Sequence, residues 1–274
     1  MEFPSFGVIL ERLLDHRRSD TGSLSRGAGV SETGLRNVVE GVQPGPGLLR
    51  ALAPALDLHA ADLFVMAGRR VPEDLTPLDG SFYCGQYIGR LVRYARRLPA
   101  DQRCELRRLV REMPQEERRE PYVPKRWYDP REAGIGALIG NMLYTNRNLG
   151  STRAAPVLLE LSGRRYVSES TIAMVGKGGL ELTPDWLLDV STMIDMPAGE
   201  LAAITGVPLP EDSPAEDPAA ADAAALLWDV RRLSAEQLWE VCVQAEEMRF
   251  ALPDGGHDEG PYRVSRNPPR RSRS

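Results

Sequence analysis

The chain has 274 residues, 42 % of them hydrophobic, and a formal net charge of −5 at pH 7. The length suits two domains, and no apolar run approaches the roughly 18 residues of a membrane span, so we expect no membrane association. The first residues show neither a basic segment nor an apolar one after it, so we expect no signal peptide and a cytoplasmic protein. The three cysteines lie far apart, without metal or redox spacing.

The negative charge is unfavourable for a nucleic-acid-binding protein, but the acidic residues are unevenly placed. Residues 211–255 contain 3 basic and 11 acidic side chains, whereas residues 1–70 contain 8 of each. The acidity is therefore concentrated near the C-terminal end, and the N-terminal part of the chain is neutral.

Five short helices are predicted within residues 1–70, the first domain. Apolar residues recur at helical spacing over residues 6–16. Ser31 is placed to cap a third helix, in which Leu35 and Val38 point inward. The other helices are predicted around Leu24, from Leu48 to Leu56, and from Leu58 to Ala67 or Gly68.

The rest of the chain divides at proline-rich stretches. We expect a helical hairpin over residues 78–114, a linker over 115–130, a second domain over 131–207, a second hairpin over 222–250 and a disordered basic tail over 251–274. A helix is predicted from Ala133 to Tyr144 at the start of the second domain. Ser234 with Gln237 predicts a capping box within the second hairpin.

Parts of the first domain and hairpin recur in the second half. Val30-Ser31-Glu32 and Gly41 reappear as Val167-Ser168-Glu169 and Gly178 with a constant shift of 137. The hairpin sequence 91–102 is echoed by 226–237. We interpret both as one duplicated unit, a helical bundle followed by a helical hairpin.

Residues 6–68 resemble the Cro/phage-repressor (XRE-type) helix-turn-helix domain. The resemblance rests on Gly29-Val30-Ser31, Glu40-Gly41 before Pro44, the apolar Leu48, Leu52 and Leu56-Asp57-Leu58, and the closing Asp62-Leu63. It implies a five-helix bundle whose third helix enters the DNA major groove. We therefore expect an all-α protein with two tandem five-helix helix-turn-helix bundles, each followed by a helical hairpin.

Candidate DNA-binding residues lie on or beside each predicted recognition helix. In the first copy these are Ser31, Thr33, Arg36 and Asn37. Arginine can bind guanine and asparagine can bind adenine through two hydrogen bonds. In the second copy they are Arg164, Arg165, Ser168, Ser170, Thr171 and Lys177. The alternative is that the serines only cap helices and the other polar side chains form a solvated face.

The predicted function is a sequence-specific, DNA-binding transcriptional regulator. Its partners would be double-stranded DNA and, through the helical hairpins, a second copy in a homodimer, unless the hairpins pack within the chain and one chain presents both recognition helices. It would be cytoplasmic, and nucleoid-associated when bound to DNA. The alternative is a protein-interaction module that has partly or wholly lost DNA binding. The weak basic charge, Gly34 in the first recognition helix and the hydroxyl-rich second copy favour it. No catalytic, cofactor or metal motif is found, so an enzyme is not expected.

Overall fold

The computed structural model describes residues 2–79, 82–118, 126–163, 167–210, 212, 215 and 217–253. Every regular element in these ranges is a helix, which confirms the predicted all-α class. No helix of the described part is both long and apolar enough to cross a membrane. The predicted basic tail lies almost wholly outside the described residues.

Residues 2–68, the first unit, contain α1 (Phe6–His16), α2 (Thr21–Ala28), α3 (Glu32–Val39), α4 (Pro46–Ala55) and α5 (Ala60–Met66). Local chemistry explains where these helices begin. Ser5, Asp20 and Ser31 each accept a hydrogen bond from a backbone amide of the following first turn. Pro46 stands in the first turn of α4, where its missing N–H is not needed. The leucines that face the centre, Leu10, Leu13, Leu35, Leu49 and Leu52, are at most 1 % exposed.

Residues 129–207 form the second unit. The hairpin between the units consists of α6 (Phe82–Arg96) and α7 (Ala100–Glu112). The second unit contains α8 (Pro130–Ala133), α9 (Ile135–Asn141), a π-helical turn (Met142–Asn146), α10 (Ser151–Ser162), α11 (Glu169–Gly176), α12 (Pro184–Ile194) and α13 (Ala198–Thr205). The chain continues with α14 (Pro218–Asp229) and α15 (Ala235–Phe250).

Two boundaries differ from the sequence-based expectation. The helix expected over residues 133–144 is divided, because Gly134 has a φ of 55° and separates α8 from α9, and the chain widens into the π-helical turn at Met142. The second hairpin begins at Pro218, before residue 222, because the Asp217 side chain caps α14. The capping box of Ser234 and Gln237 is present at the start of α15.

The two hairpins pack against each other and against the second unit. Helix α6 contacts α10, α14 and α15, while α7 contacts α14 and α15. Leu91 and Val92 of α6 and Val241 of α15 are at most 1 % exposed. On the outer side, Arg103 and Arg107 of α7 pair with acidic residues of α14 at 2.8 and 3.1 Å. The apolar faces of the hairpins are thus used within the chain, and a homodimer through these faces requires the chain to open.

A buried ion pair joins the two units. Arg147 donates two parallel hydrogen bonds of 2.9 Å to the carboxylate of Asp62, and both side chains are 1 % exposed. Asn146 donates a third bond of 2.6 Å to the same carboxylate. The guanidinium also donates to the backbone carbonyls of Met142 and Ile194. These bonds connect α5, the π-helical turn and the end of α12 at one point.

Aromatic stacking covers this junction from the side of α14. The rings of His59 and Trp228 stack with centroids 3.5 Å apart and planes 7° apart. The guanidinium of Arg231 lies 3.8 Å from the Trp228 ring centroid, and it donates to the backbone carbonyl of Leu75. Burial lowers the pKa of His59 to about 4, so the stacked imidazole is neutral near pH 7. The second hairpin is thereby fixed to both units.

Burial by itself opposes ionisation of Asp62, but Arg147 outweighs it. The charge and hydrogen bonds of Arg147, with smaller contributions from His59 and Asn146, hold the pKa of the Asp62 carboxyl below its ordinary value. The carboxylate is therefore charged at neutral pH and depends on its partner. Replacing Arg147 by Met should lower the free energy of unfolding by about 3–5 kcal/mol, because the buried carboxylate loses its counter-ion. Urea unfolding at pH 7 measures this.

Two matched variants control that experiment. Adding Asp62→Asn to Arg147→Met should recover part of the loss, since no charge then remains buried. Arg36→Met breaks an exposed pair and should change the free energy of unfolding by no more than about 0.5 kcal/mol. A loss below about 1 kcal/mol in Arg147→Met, against the 3–5 expected, would contradict the role given to this ion pair.

The stacked His59 predicts a pH dependence of stability. In the unfolded chain this histidine titrates near pH 6.5, whereas in the folded protein its pKa is about 4. The unfolded state therefore binds the proton first as the pH falls, so stability is complete above pH 6.5 and is lost toward pH 4. The loss should reach about 3 kcal/mol. Urea unfolding from pH 7 to 4 should show a shallower decline for His59→Phe, and parallel curves for the two proteins would refute the assignment.

Candidate nucleic-acid interface

In the first unit, α2 and α3 are joined by a turn of three residues, Gly29 to Ser31. Gly29 ends α2 in the left-handed region with a φ of 63°, a conformation that glycine adopts without a steric penalty. Val30 is half-buried, and its N–H donates to the carbonyl of Ser25 at 3.0 Å. The Ser31 hydroxyl accepts from the amide of Gly34 at 3.3 Å and begins α3. This local chemistry sets the angle at which α3 leaves α2.

The outer face of α3 is polar and open to solvent. Leu35 and Val38 are buried, whereas Ser31, Thr33, Arg36 and Asn37 are exposed. Arg36 pairs with Glu32 one turn earlier, at 2.9 Å, and its side chain remains 58 % exposed. An exposed pair of this spacing contributes only about 0.3–0.5 kcal/mol, so Arg36 can leave Glu32 for a ligand at small cost. The four residues predicted for the first copy thus share one accessible surface.

The C-terminal end of α3 is held by α1. A β-carbon at Gly7 would overlap the backbone carbonyl oxygen of Val38 and lie 2.6 Å from that of Val39. Only glycine lets the two helices approach this closely. Helix α3 therefore has a fixed inner end and an open outer face.

The second unit repeats this arrangement with differences. Gly163 ends α10 with a φ of 63°, and the Ser168 hydroxyl accepts from the amide of Thr171 at 3.2 Å to begin α11. The connection runs from 163 to 168, and Arg164 and Arg165 lie outside the described residues. The hydroxyl of Ser168 lies 2.8 Å from that of Ser170 and 2.9 Å from that of Thr171. These predicted contact residues form one cluster, whereas Lys177 is exposed at the opposite end of α11.

The two candidate recognition helices differ in chemistry. Helix α11 carries Glu169 in its first turn and contains neither lysine nor arginine. Its exposed surface includes Met174 at 41 %, and Leu180, just beyond the helix, is 47 % exposed. The outer face of α3 has no comparable apolar surface within its eight residues. Helix α3 therefore offers charged and amide side chains suited to base edges, whereas α11 offers neither lysine nor arginine.

Helix α6 brings two arginines beside the turn that leads into α11. Arg96 and Arg97 line a surface groove of about 460 Å³ together with Leu159, Glu160 and Gly163. Arg97 pairs with Glu160 at 2.8 Å, and Arg96 donates to the carbonyl of that residue. The sequence did not predict that these arginines lie near the start of α11, because only the long-range packing of α6 on α10 brings them there.

A second groove, of about 780 Å³, lies between the two units. Its lining includes Phe3, which precedes α1, and Pro130, which begins α8. It also includes Gln43 and Gly178, which follow α3 and α11 along the chain. The chain segments that leave both candidate recognition helices therefore meet at one groove.

The described ranges contain no group of three or more histidine, cysteine or acidic side chains placed to hold a metal ion. Cys104 is exposed. Cys84 and Cys242 are buried, and burial raises the pKa of the Cys242 thiol well above its ordinary value. That thiol is therefore protonated and unreactive at neutral pH.

Comparisons with protein-family models, with curated proteins and with solved structures find no match. The function must therefore be argued from the residues and geometry of this chain.

Gly34 and Gly7 give opposite expectations for the same substitution. A β-carbon at Gly34 would meet only the Ser31 side chain, at ordinary contact distances of 3.6 and 3.9 Å. Gly34→Ala should therefore raise the free energy of unfolding by about 0.5–1 kcal/mol through helix propensity. Gly7→Ala should lower it by at least about 1–3 kcal/mol, because backbone must move. Urea unfolding of both variants tests this, and a stabilised Gly7→Ala would refute the close approach of α1 to α3.

Proposed function

We propose that this protein is a sequence-specific, DNA-binding transcriptional regulator built from two helix-turn-helix units in tandem. The observation that supports it most is α3, a capped helix with a polar, accessible outer face, set by a three-residue turn against α2. Helices of this kind enter the major groove with their N-terminal residues nearest the base edges. The sequence resemblance of residues 6–68 to XRE-type domains supports the same interpretation.

In the first unit, Ser31 and Thr33 lie at the end of α3 that approaches DNA. There the exposed amides and hydroxyls favour a phosphate oxygen. Arg36 would break its ion pair with Glu32 and bind guanine, and Asn37 would bind adenine. Each such two-point contact contributes about 1–3 kcal/mol of discrimination between bases.

In the second unit, binding to the sugar-phosphate backbone of DNA is the better-supported role. The hydroxyl cluster of Ser168, Ser170 and Thr171 offers hydrogen bonds to phosphate but little base specificity. Lys177 adds one exposed cation. The second unit would thus mainly position the protein on the duplex and contribute the weaker base readout, while the first unit reads its half-site more strongly.

The charge balance sets the expected affinity. With a net charge of −5, the protein has little general attraction for DNA. Few phosphates would be neutralised, so the dependence of binding on salt should be shallow. The protein would reside in the cytoplasm and join the nucleoid when bound to its sites.

A second candidate function is a protein-docking role for the second unit. The exposed Met174 and Leu180 and the absence of basic residues in α11 favour it. Exposed apolar side chains that lie together often mark a protein-binding surface. In that case the first unit alone would contact DNA.

Arg36→Ala should reduce the preference for the cognate sequence by about 1–3 kcal/mol, because one two-point base contact is lost. Arg108→Ala is the matched control, since Arg108 is also an exposed helical arginine paired with glutamates, on α7. Fluorescence anisotropy with promoter DNA and with scrambled DNA measures the preference. Basic contacts are only weakly screened near 50 mM salt. If no binding to the protein's own promoter DNA is detected there, the proposed function as a transcriptional regulator is refuted.

Lys177 separates the two candidate functions of the second unit. If Lys177 contacts phosphate, Lys177→Ala should lower the slope of log affinity against log salt by about 0.9. An unchanged slope would remove this lysine from the DNA interface and favour the docking role.

A further inference from the structure

Backbone conformation places the same landmarks in both units. The described residues contain four non-glycine positions with positive φ: Arg18 at 52°, Asp57 at 47°, Asn148 at 55° and Asp195 at 58°. Such positions are uncommon outside glycine. Arg18 and Asn148 precede α2 and α10 and are 130 residues apart. Asp57 and Asp195 follow α4 and α12 and are 138 apart. The two units therefore bend in the same way at matching places.

The number of residues between matched positions of the two units increases along the chain, and each increase has a structural cause. Gly7 and Gly136 are 129 residues apart, and the π-helical turn (Met142–Asn146) accommodates one additional residue. Helix α10 has 12 residues and α2 has 8, and the turn that follows α10 is longer by three. These differences bring the spacing to the 137 residues that separate Ser31 from Ser168. The connection after α11 is one residue longer than that after α3, which gives the 138 residues between Asp57 and Asp195. Outside these insertions, each position of one unit has a counterpart in the other.

At matched positions the ion pairs between the units are reciprocal. Arg17 of the first unit corresponds to Arg147 of the second, and Asp62 of the first corresponds to Glu200 of the second. Arg17 pairs with Glu200 at 2.7 Å, and Arg147 pairs with Asp62 at 2.9 Å. Each unit therefore gives its arginine to the acidic residue of the other.

The surroundings of these pairs match as well. Arg17 donates to the carbonyl of Leu56 at the end of α4, and Arg147 donates to that of Ile194 at the end of α12. Helix α1 packs on α13, and α5 packs on α9 and the π-helical turn. An interface in which residue i meets residue j, and j meets i, is the signature of two-fold symmetry.

Both candidate recognition helices are also held alike. A β-carbon at Gly136 of α9 would overlap the carbonyl oxygen of Val175 in α11, as one at Gly7 of α1 would overlap that of Val38 in α3. The groove lined by Gln43 and Gly178 brings the C-terminal sides of α3 and α11 together. At their N-terminal ends, the cap residue Ser31 is exposed and the cap residue Ser168 is half-buried.

From these observations we infer that the two units form a pseudo-two-fold dimer within one chain, so that one chain binds one DNA duplex. The DNA part of this inference rests on the proposed function. Two-fold symmetry places the half-sites in inverted orientation. Because the outward residues of α3 and α11 differ, the half-sites differ in sequence. The ligand is a duplex with two unlike, inverted half-sites.

The interface can be tested without DNA. Light scattering on the full chain should give the mass of one chain, and the melting temperature should not change over roughly a hundredfold range of concentration. Glu200→Gln should lower the melting temperature, and Arg17→Met should lower it more because the bond to the Leu56 carbonyl is also lost. The combination should lower it little further than Arg17→Met alone, because the ion pair is then already absent. Arg17→Met combined with Arg111→Met, which breaks a separate pair on α7, should be additive. A two-chain mass, or additive effects of Arg17→Met and Glu200→Gln, would overturn the pseudo-dimer.

The DNA ligand is tested by selecting duplexes from a random pool with the full chain, followed by native mass spectrometry of the complexes. We expect one chain per duplex and two unlike half-sites in inverted orientation, of which Arg36→Ala relaxes only one. Two chains per duplex, identical half-sites, direct repeats or a single half-site would overturn the inferred ligand. Recovery of no DNA would overturn the proposed function and this ligand together, while the DNA-free measurements would still decide whether the pseudo-dimer exists.

Discussion

The buried pair of Asp62 and Arg147 is the constraint on which the arrangement of the two units depends. Each ion loses several kcal/mol of hydration when it is removed from water, so the pair is tolerated only with near-ideal geometry. Here the guanidinium meets the carboxylate with two parallel bonds, and Asn146 and two backbone carbonyls satisfy the remaining groups. An apolar junction would permit sliding of one unit on the other. This junction fits only one register, because any displacement leaves a charge buried without its partner.

The matching pair of Arg17 and Glu200 has the same partners but a different environment. Its side chains are 24 % and 13 % exposed, against 1 % for Arg147 and Asp62. The hairpins cause this difference, because both pack on the second unit and Trp228 then covers Arg147. The two units therefore differ in their surroundings. The second packs against the hairpins and exposes Met174 on its outer helix α11, while the outer face of α3 in the first is wholly polar.

Local chemistry was sufficient to predict most of the helices. The caps at Ser31, Ser168 and Ser234 act within one turn, so the sequence alone reveals where these helices begin. The ion pairs between the units were not predicted, since Arg17 and Glu200 are 183 residues apart and no local pattern links them. The π-helical turn was missed for a related reason. Long-range contacts of Arg147 stabilise the extra residue of this turn. The spacing of apolar residues before the turn therefore does not predict it. Helical periodicity predicts the candidate contact residues of α3. The exposed Met174 of α11 is seen only from the side-chain exposure in the structure.

Rigid coupling of the units bears directly on the proposed function, because it shows how a weakly basic protein would bind DNA selectively. Neither α3 nor α11 carries enough positive charge to bind strongly alone, and the acidic segment near the C-terminal end opposes general attraction. When two weak sites are linked, the second binds at a high effective concentration, provided that the link holds both in reach of the same ligand. A flexible linker would lose much of this gain to conformational entropy at each binding event. The buried pair and its half-buried counterpart fix the orientation during folding, so that little further ordering would be required on the proposed DNA ligand. Selectivity would then come from a few base contacts made together.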